Sequence, residues 1–233
     1  MKNILAMLAL AVLLLGAAAG LADGEGTIEK TSCSIMRSGE YYLVYTFAQV
    51  HNNSDTIICL DQGAFELHNS DQMLASQSVS RMWPMFLNPG EDGYFFDVVT
   101  FGPTEDGPAE MPVVTAVDYN IVYMPVNEAF ASRDLSAVSE IVPKADGSLD
   151  VICEISNTTD IDAYDAGVAF GLFTQDDQMI YADGTILSGV GVPAGGTTLV
   201  RFTVEEDFVA QWSGYGVAPV EARVSATFHQ GDD

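Results

Sequence analysis

The chain has 233 residues, 33 of them acidic and 8 basic, for a formal net charge of −25. At 48% hydrophobic and 10% aromatic it has material for sizeable cores, which excludes global disorder, and its length allows one large domain or two of about 100 residues. The charge excludes nucleic acid and anionic membranes as partners by repulsion, and leaves a well-solvated surface open to divalent cations or basic partners.

The N-terminus reads as an export signal over residues 1–22. Lys2 supplies a short positive region, Ile4 to Leu15 is an almost unbroken apolar run, and small residues follow. Gly20 and Ala22 fit the positions before a cut that leaves Asp23 first, with Ala17 and Ala19 as the alternative pair. The run is short for a membrane span, so cleavage is expected, with no membrane insertion afterwards.

Beyond the signal the residues alternate with period two, each strand having one buried face. A first hairpin centred near Gly39 sets Cys33 opposite Thr46. The next strand buries Val44, Thr46, Ala48 and Val50 and carries Leu43, Tyr45 and Phe47 on the face that should be wet; that face is expected to meet the other half or a loop. Asn52-Asn53-Ser54-Asp55 ends this strand as a turn, with Asn52 as turn former. Phe65 and Leu67 follow in a core strand. The segment from Arg81 to Leu87 then gathers Met82, Trp83, Met85 and Phe86, a contact-surface composition that domain packing explains equally well. Pro89-Gly90 opens a late strand with Val98, and Val117 to Tyr123 forms the last one. A linker over 128–136 follows, with a helical turn expected from Glu128 to Leu135.

The rest of the chain repeats this order at a shift of about 105 residues, too long for a solenoid unit. Asn52, Asp55, Phe65, Leu67 and Asp71 find Asn157, Asp160, Phe170, Leu172 and Asp176. Leu149, Val151, Cys153 and Ile155 stand where Val44, Thr46, Ala48 and Val50 do. The expectation is an all-β chain of two tandem immunoglobulin-like antiparallel β-sandwiches, over 27–127 and 137–229, preceded by the signal peptide. Val50, Phe65, Leu67, Val98 and Ile121 should form one core, and Ile155, Phe170, Leu172, Phe202 and Val224 the other.

Phe65-Glu66-Leu67-His68-Asn69 and Phe170-Gly171-Leu172-Phe173-Thr174 resemble the Phe-x-Leu-Tyr-Asp signature of the bacterial FxLYD domain. The Asn-containing turn before the motif and the Pro-Gly turn before a Phe-bearing strand are similar too. Both copies depart from Tyr-Asp at the end of the motif. The resemblance implies two extracytoplasmic β-sandwiches and brings no catalytic residues.

The residues offer little chemistry. His51, His68 and His229 are scattered, and no nucleophile elbow, metal-protease helix or phosphate loop occurs. Asp160, Asp162 and Asp165 gather in a turn, with Asp176-Asp177 in a hairpin, but lack a calcium-loop pattern and read as solvated loops. No catalytic, cofactor or metal residue is therefore assigned. Cys33 and Cys59 are a candidate disulfide, and Cys153 a buried thiol. Trp212 and Tyr215 read as a cap over the open end of a sandwich. The expected function is a non-enzymatic secreted or cell-surface bacterial module for protein interaction or a structural, accessory role, its partner a protein or cell-surface component. The alternative is a carbohydrate-binding module, which wants Trp83, Trp212 and Tyr215 exposed on one face.

Overall fold

The structure is a computed structural model that describes residues 14–15, 26–70, 72–104, 107–127 and 132–229. Of the expected signal, only Leu14–Leu15 is described, as a short strand β1 antiparallel to β2 (Gly26–Ser38). The remainder of residues 1–22 and the start of the expected linker lie outside the described residues. Along the chain follow β3 (Tyr41–Asn52), β4 (Ile57–Asn69), β5 (Gln72–Ser78), β6 (Met82–Trp83), β7 (Phe86–Leu87), β8 (Asp92–Phe101) and β9 (Ala116–Val126). Then come β10 (Ser132–Asp134), β11 (Ser136–Pro143), β12 (Leu149–Ser156), β13 (Ala163–Phe173), β14 (Met179–Val192), β15 (Thr197–Val204), the helix α1 (Glu206–Gly214) and β16 (Glu221–His229).

These strands form four antiparallel sheets. In the N-terminal half the order β2-β3-β8-β6 makes one sheet, and β4, flanked by β5, β7 and β9, builds the other. In the C-terminal half the sheets are β11-β12-β15 and β10-β16-β13-β14. The order β2-β3-β8 thus finds its match in β11-β12-β15, and β5-β4-β9 in β14-β13-β16. The registers agree as well. Val50 faces Gly93 and Ile155 faces Thr198; Phe65 faces Tyr119 and Phe170 faces Val224; Leu67 faces Val117 and Leu172 faces Ala222.

The turn chemistry agrees with the sequence. Gly39 sits in the β2–β3 turn at φ 61°, a conformation that only glycine adopts without strain, and Cys33 stands opposite Thr46. The side chain of Asn52 is buried. Its Nδ2 donates to the carbonyls of Thr56 (2.8 Å) and Leu87 (2.9 Å), and its Oδ1 accepts from the amide and hydroxyl of Ser54. Asn157 makes the same four bonds, to Ile161 O, Val192 O and both donors of Thr159.

Each half has its own apolar cluster. Phe65, Leu67, Val50 and Phe95 share the first; Phe170, Leu172, Ile155 and Phe202 share the second, with Val224 packed against it. Val98 departs from its expected core place and is 41% exposed. The run Tyr94-Phe95-Phe96 is covered on both faces of β8, so alternation there does not reveal which side is inward; Phe95 faces the first core, and Val98 lies in the opposite phase. The helical turn expected over Glu128 to Leu135 is also corrected: Ser132–Asp134 is β10, paired with the end of β16. The helix α1, in contrast, was not legible. It has no side-chain cap at Glu205 and is held by Phe208 and Trp212, which are buried one turn apart.

The second cluster reaches across the halves. Phe47 and Tyr94 are buried in it, and Met36, Tyr45, Trp83 and Phe96 pack against it. The face of β3 that looked too apolar for solvent is therefore covered by the C-terminal half. This docking makes β13 a strand buried on both sides from Val168 to Phe173. The glycines supply the clearance: a Cβ on Gly171 would lie 2.7 Å from Tyr94 Cε1, and one on Gly184 would lie 3.1 Å from the Trp83 ring. Polar contacts fix the register of the two halves. Tyr94 donates its hydroxyl to Arg223 O (3.1 Å), and Gln211 Nε2 donates to Ile35 O (2.7 Å). Lys30 pairs with Asp177, which also holds Arg223 at 2.6 Å, and both cations lie over the Phe173 ring.

Candidate cleft between the two halves

The docking of the halves is incomplete along one side. β6 covers β8 only at Tyr94 and Phe95, so the edge of β8 is open from Phe96 onward. β14 is likewise the outermost strand of its sheet. Where these edges meet the start of α1, a cleft of about 450 Å³ remains. Its walls are aromatic: Tyr45 and Phe47 from β3, Phe96 from β8, Tyr181 from β14 and Phe208 from α1. The rings hold one another at 5.0 Å for Tyr45–Phe208, 5.1 Å for Phe47–Tyr181 and 5.1 Å for Tyr181–Phe208, spacings at which edge-to-face contact is favourable. Gln77, Ser80 and Val98 complete the rim.

Two carboxylates border this wall: Asp183, beside Tyr181, and Asp97, which stands opposite Thr46 in the phase of Phe95 and is turned toward the first core. Burial pushes both above the usual carboxylate range. For Asp97 the hydrogen bonds of Ser80 oppose the shift, and for Asp183 those of the Gly184 amide and the Tyr181 hydroxyl do. The Ser80 amide reaches Asp97 Oδ1 at 3.1 Å, while Asp97 Oδ2 is buried with no hydrogen-bond partner. Gly184 N–H donates to Asp183 Oδ1 at 2.7 Å. No Lys, Arg or His lines the cleft, and among the described residues none forms an ion pair with either carboxylate.

The residues singled out in the sequence lie elsewhere or face inward. Met82 is 1% exposed in the first core. Trp83 stacks on Phe96 at 5.9 Å, with Arg81 over its ring and Gly184 against its face. Of the expected contact surface Met82, Trp83, Met85 and Phe86, Met85 is exposed, Trp83 and Phe86 are half-buried and Met82 is buried. Trp212 is fully buried and Tyr215 stands exposed at the end of α1, so the tryptophans and Tyr215 share no open face. All three cysteines are buried and none is in a disulfide, which corrects the expected Cys33–Cys59 bridge. Cys33 sits in the middle of β2, whereas Cys59 lies near the start of β4 in the opposite sheet, paired with Met124 and Phe86. Burial pushes the Cys153 thiol up to about 11 and, with help from Asp61, raises Cys59 as well. His51 pairs with Asp92 and His68 with Glu66, apart from the cleft. Asp162 and Asp165 are engaged by the amides of Ala194 and Gly189, and no group with the makings of a metal site occurs among the described residues.

The cleft draws on segments far apart in sequence, which is why no local motif marked it. Its one signal was the apolar outer face of Tyr45 and Phe47.

No protein-family profile matches the chain, and no curated protein does. Among solved structures, a 7S globulin from Momordica charantia is similar at 10% identity over 84% of this chain and 81% of that one, with a TM-score of 0.13, too low to carry an argument.

Proposed function

We propose that this chain is an exported, non-enzymatic binding module built from two FxLYD-like sandwiches of immunoglobulin type, and that it takes a small ligand in the cleft between them. The matching strand orders, the shared register and the identical hydrogen bonds of Asn52 and Asn157 support duplication. The observation that carries the binding function is the cleft itself. It has the volume and the largely aromatic lining of a ligand site, and it lies between domains, where such sites concentrate. A purely structural joint would close this gap with side chains, as the same interface does at Gly171 and Tyr94.

The test is a titration of the full chain with benzyl alcohol, a neutral aromatic probe, followed by NMR. Shifts are expected at Tyr45, Phe47, Tyr181 and Phe208, and they should vanish in Val98→Trp, where the larger side chain blocks the rim. Shifts scattered over the surface, or none with any aromatic probe, would overturn the reading. Export has a separate test: protein recovered outside the producing cell should begin at Asp23. Recovery only inside, with Met1 retained, would refute it.

A further inference from the structure

We propose that the ligand of the cleft is a small organic cation, an ammonium or guanidinium group on an apolar body, attracted by Asp183 and packed against Tyr45, Phe47 and Phe208. This inference rests on the cleft being a ligand site. Three features of the wall point the same way. Aromatic faces present negative quadrupoles, which hold a cation at close range and favour it over a neutral group of the same size. Asp183 is partly withdrawn from water with no protein cation beside it, a costly arrangement that an incoming positive charge would relieve. The absence of any basic side chain from the lining leaves the potential there negative, and a net charge of −25 adds to it at long range. An anionic ligand would meet all of these as repulsion.

The chemistry is shared by a free amine and by a lysine side chain on a partner protein, and the probes separate them. Benzylamine and benzyl alcohol differ in charge but hardly in shape. With the full chain at neutral pH, benzylamine is expected to bind about tenfold more tightly than the alcohol, the ratio that a cation–aromatic and charge contribution of about 1.4 kcal/mol gives. Asp183→Asn, checked for folding by circular dichroism, should bring the amine toward the alcohol. If that variant fails to fold, the amine-to-alcohol ratio of the unsubstituted chain still decides the charge assignment. Tighter binding of the peptide Gly-Lys-Gly than of benzylamine would identify the source as a protein side chain; weaker binding would identify a free amine. Equal binding of amine and alcohol, or an amine affinity unmoved by Asp183→Asn, overturns the cation assignment while leaving the cleft a ligand site. Binding of neither probe overturns the site itself.

Discussion

Phe170→Ala and Phe65→Ala should each lose about 3–5 kcal/mol of unfolding free energy, as aromatic truncations in cores do. Both rings are fully buried at equivalent places. Phe65 packs at 5.7 Å from Tyr119, and Phe170 at 4.8 Å from Phe202. The cost of a cavity depends on how far its surroundings can collapse, and here the two sites differ. Among the described residues no further sheet covers the outer face of β4, whereas β13 is pinned between β11-β12-β15 on one side and the N-terminal half on the other. Phe170→Ala should therefore fall at the upper end of the range and Phe65→Ala at the lower. Urea denaturation followed by circular dichroism measures both. A loss under about 1 kcal/mol at either site would show that the ring is not a core anchor.

The second large effect concerns the paired asparagines. Asn52→Ala and Asn157→Ala each remove four hydrogen bonds at a buried position and leave the carbonyl of Leu87 or Val192 without its side-chain donor, an expected cost of about 2–4 kcal/mol. Asn→Asp at either place is a sharper probe. The aspartate keeps the acceptor that holds the Ser54 or Thr159 amide, but it turns a second oxygen toward two carbonyl oxygens. Ionisation is then penalised, and the folded-state pKa rises above the ordinary value of about 3.9. The folded state holds its proton more tightly than the unfolded one, so stability falls as pH rises through that window and returns on acidification. Thermal melts of Asn157→Asp at neutral and at acid pH, each compared with the unsubstituted chain at the same pH, should show the deficit shrinking in acid. A deficit that grows in acid would refute the assigned hydrogen-bond roles.

Much of the fold was legible because its determinants are local. Period-two alternation placed Val44 to Val50 and Leu149 to Ile155 on inner faces, and all eight residues of those two rows are buried. Turn chemistry placed Gly39, Asn52 and Asn157, since a left-handed backbone or a bonded asparagine is demanded by a few neighbouring residues alone. Alternation ceased to be informative where a strand is covered on both faces. In Tyr94-Phe95-Phe96 every position is aromatic and the phase could not be read; Val98 was misplaced for that reason.

The sequence by itself determined the strands marked by alternation, their turns and the order in which both halves repeat them, but not β10 or α1. Only the tertiary structure decided how the halves dock, which stacked Trp83 on Phe96 and brought Tyr45, Phe47, Asp183 and Phe208 around one cleft. The reason is physical. A strand's buried face is set by residues two apart, whereas a surface between halves is set by shape and charge matching across more than a hundred residues, and a single chain carries no periodic mark of it.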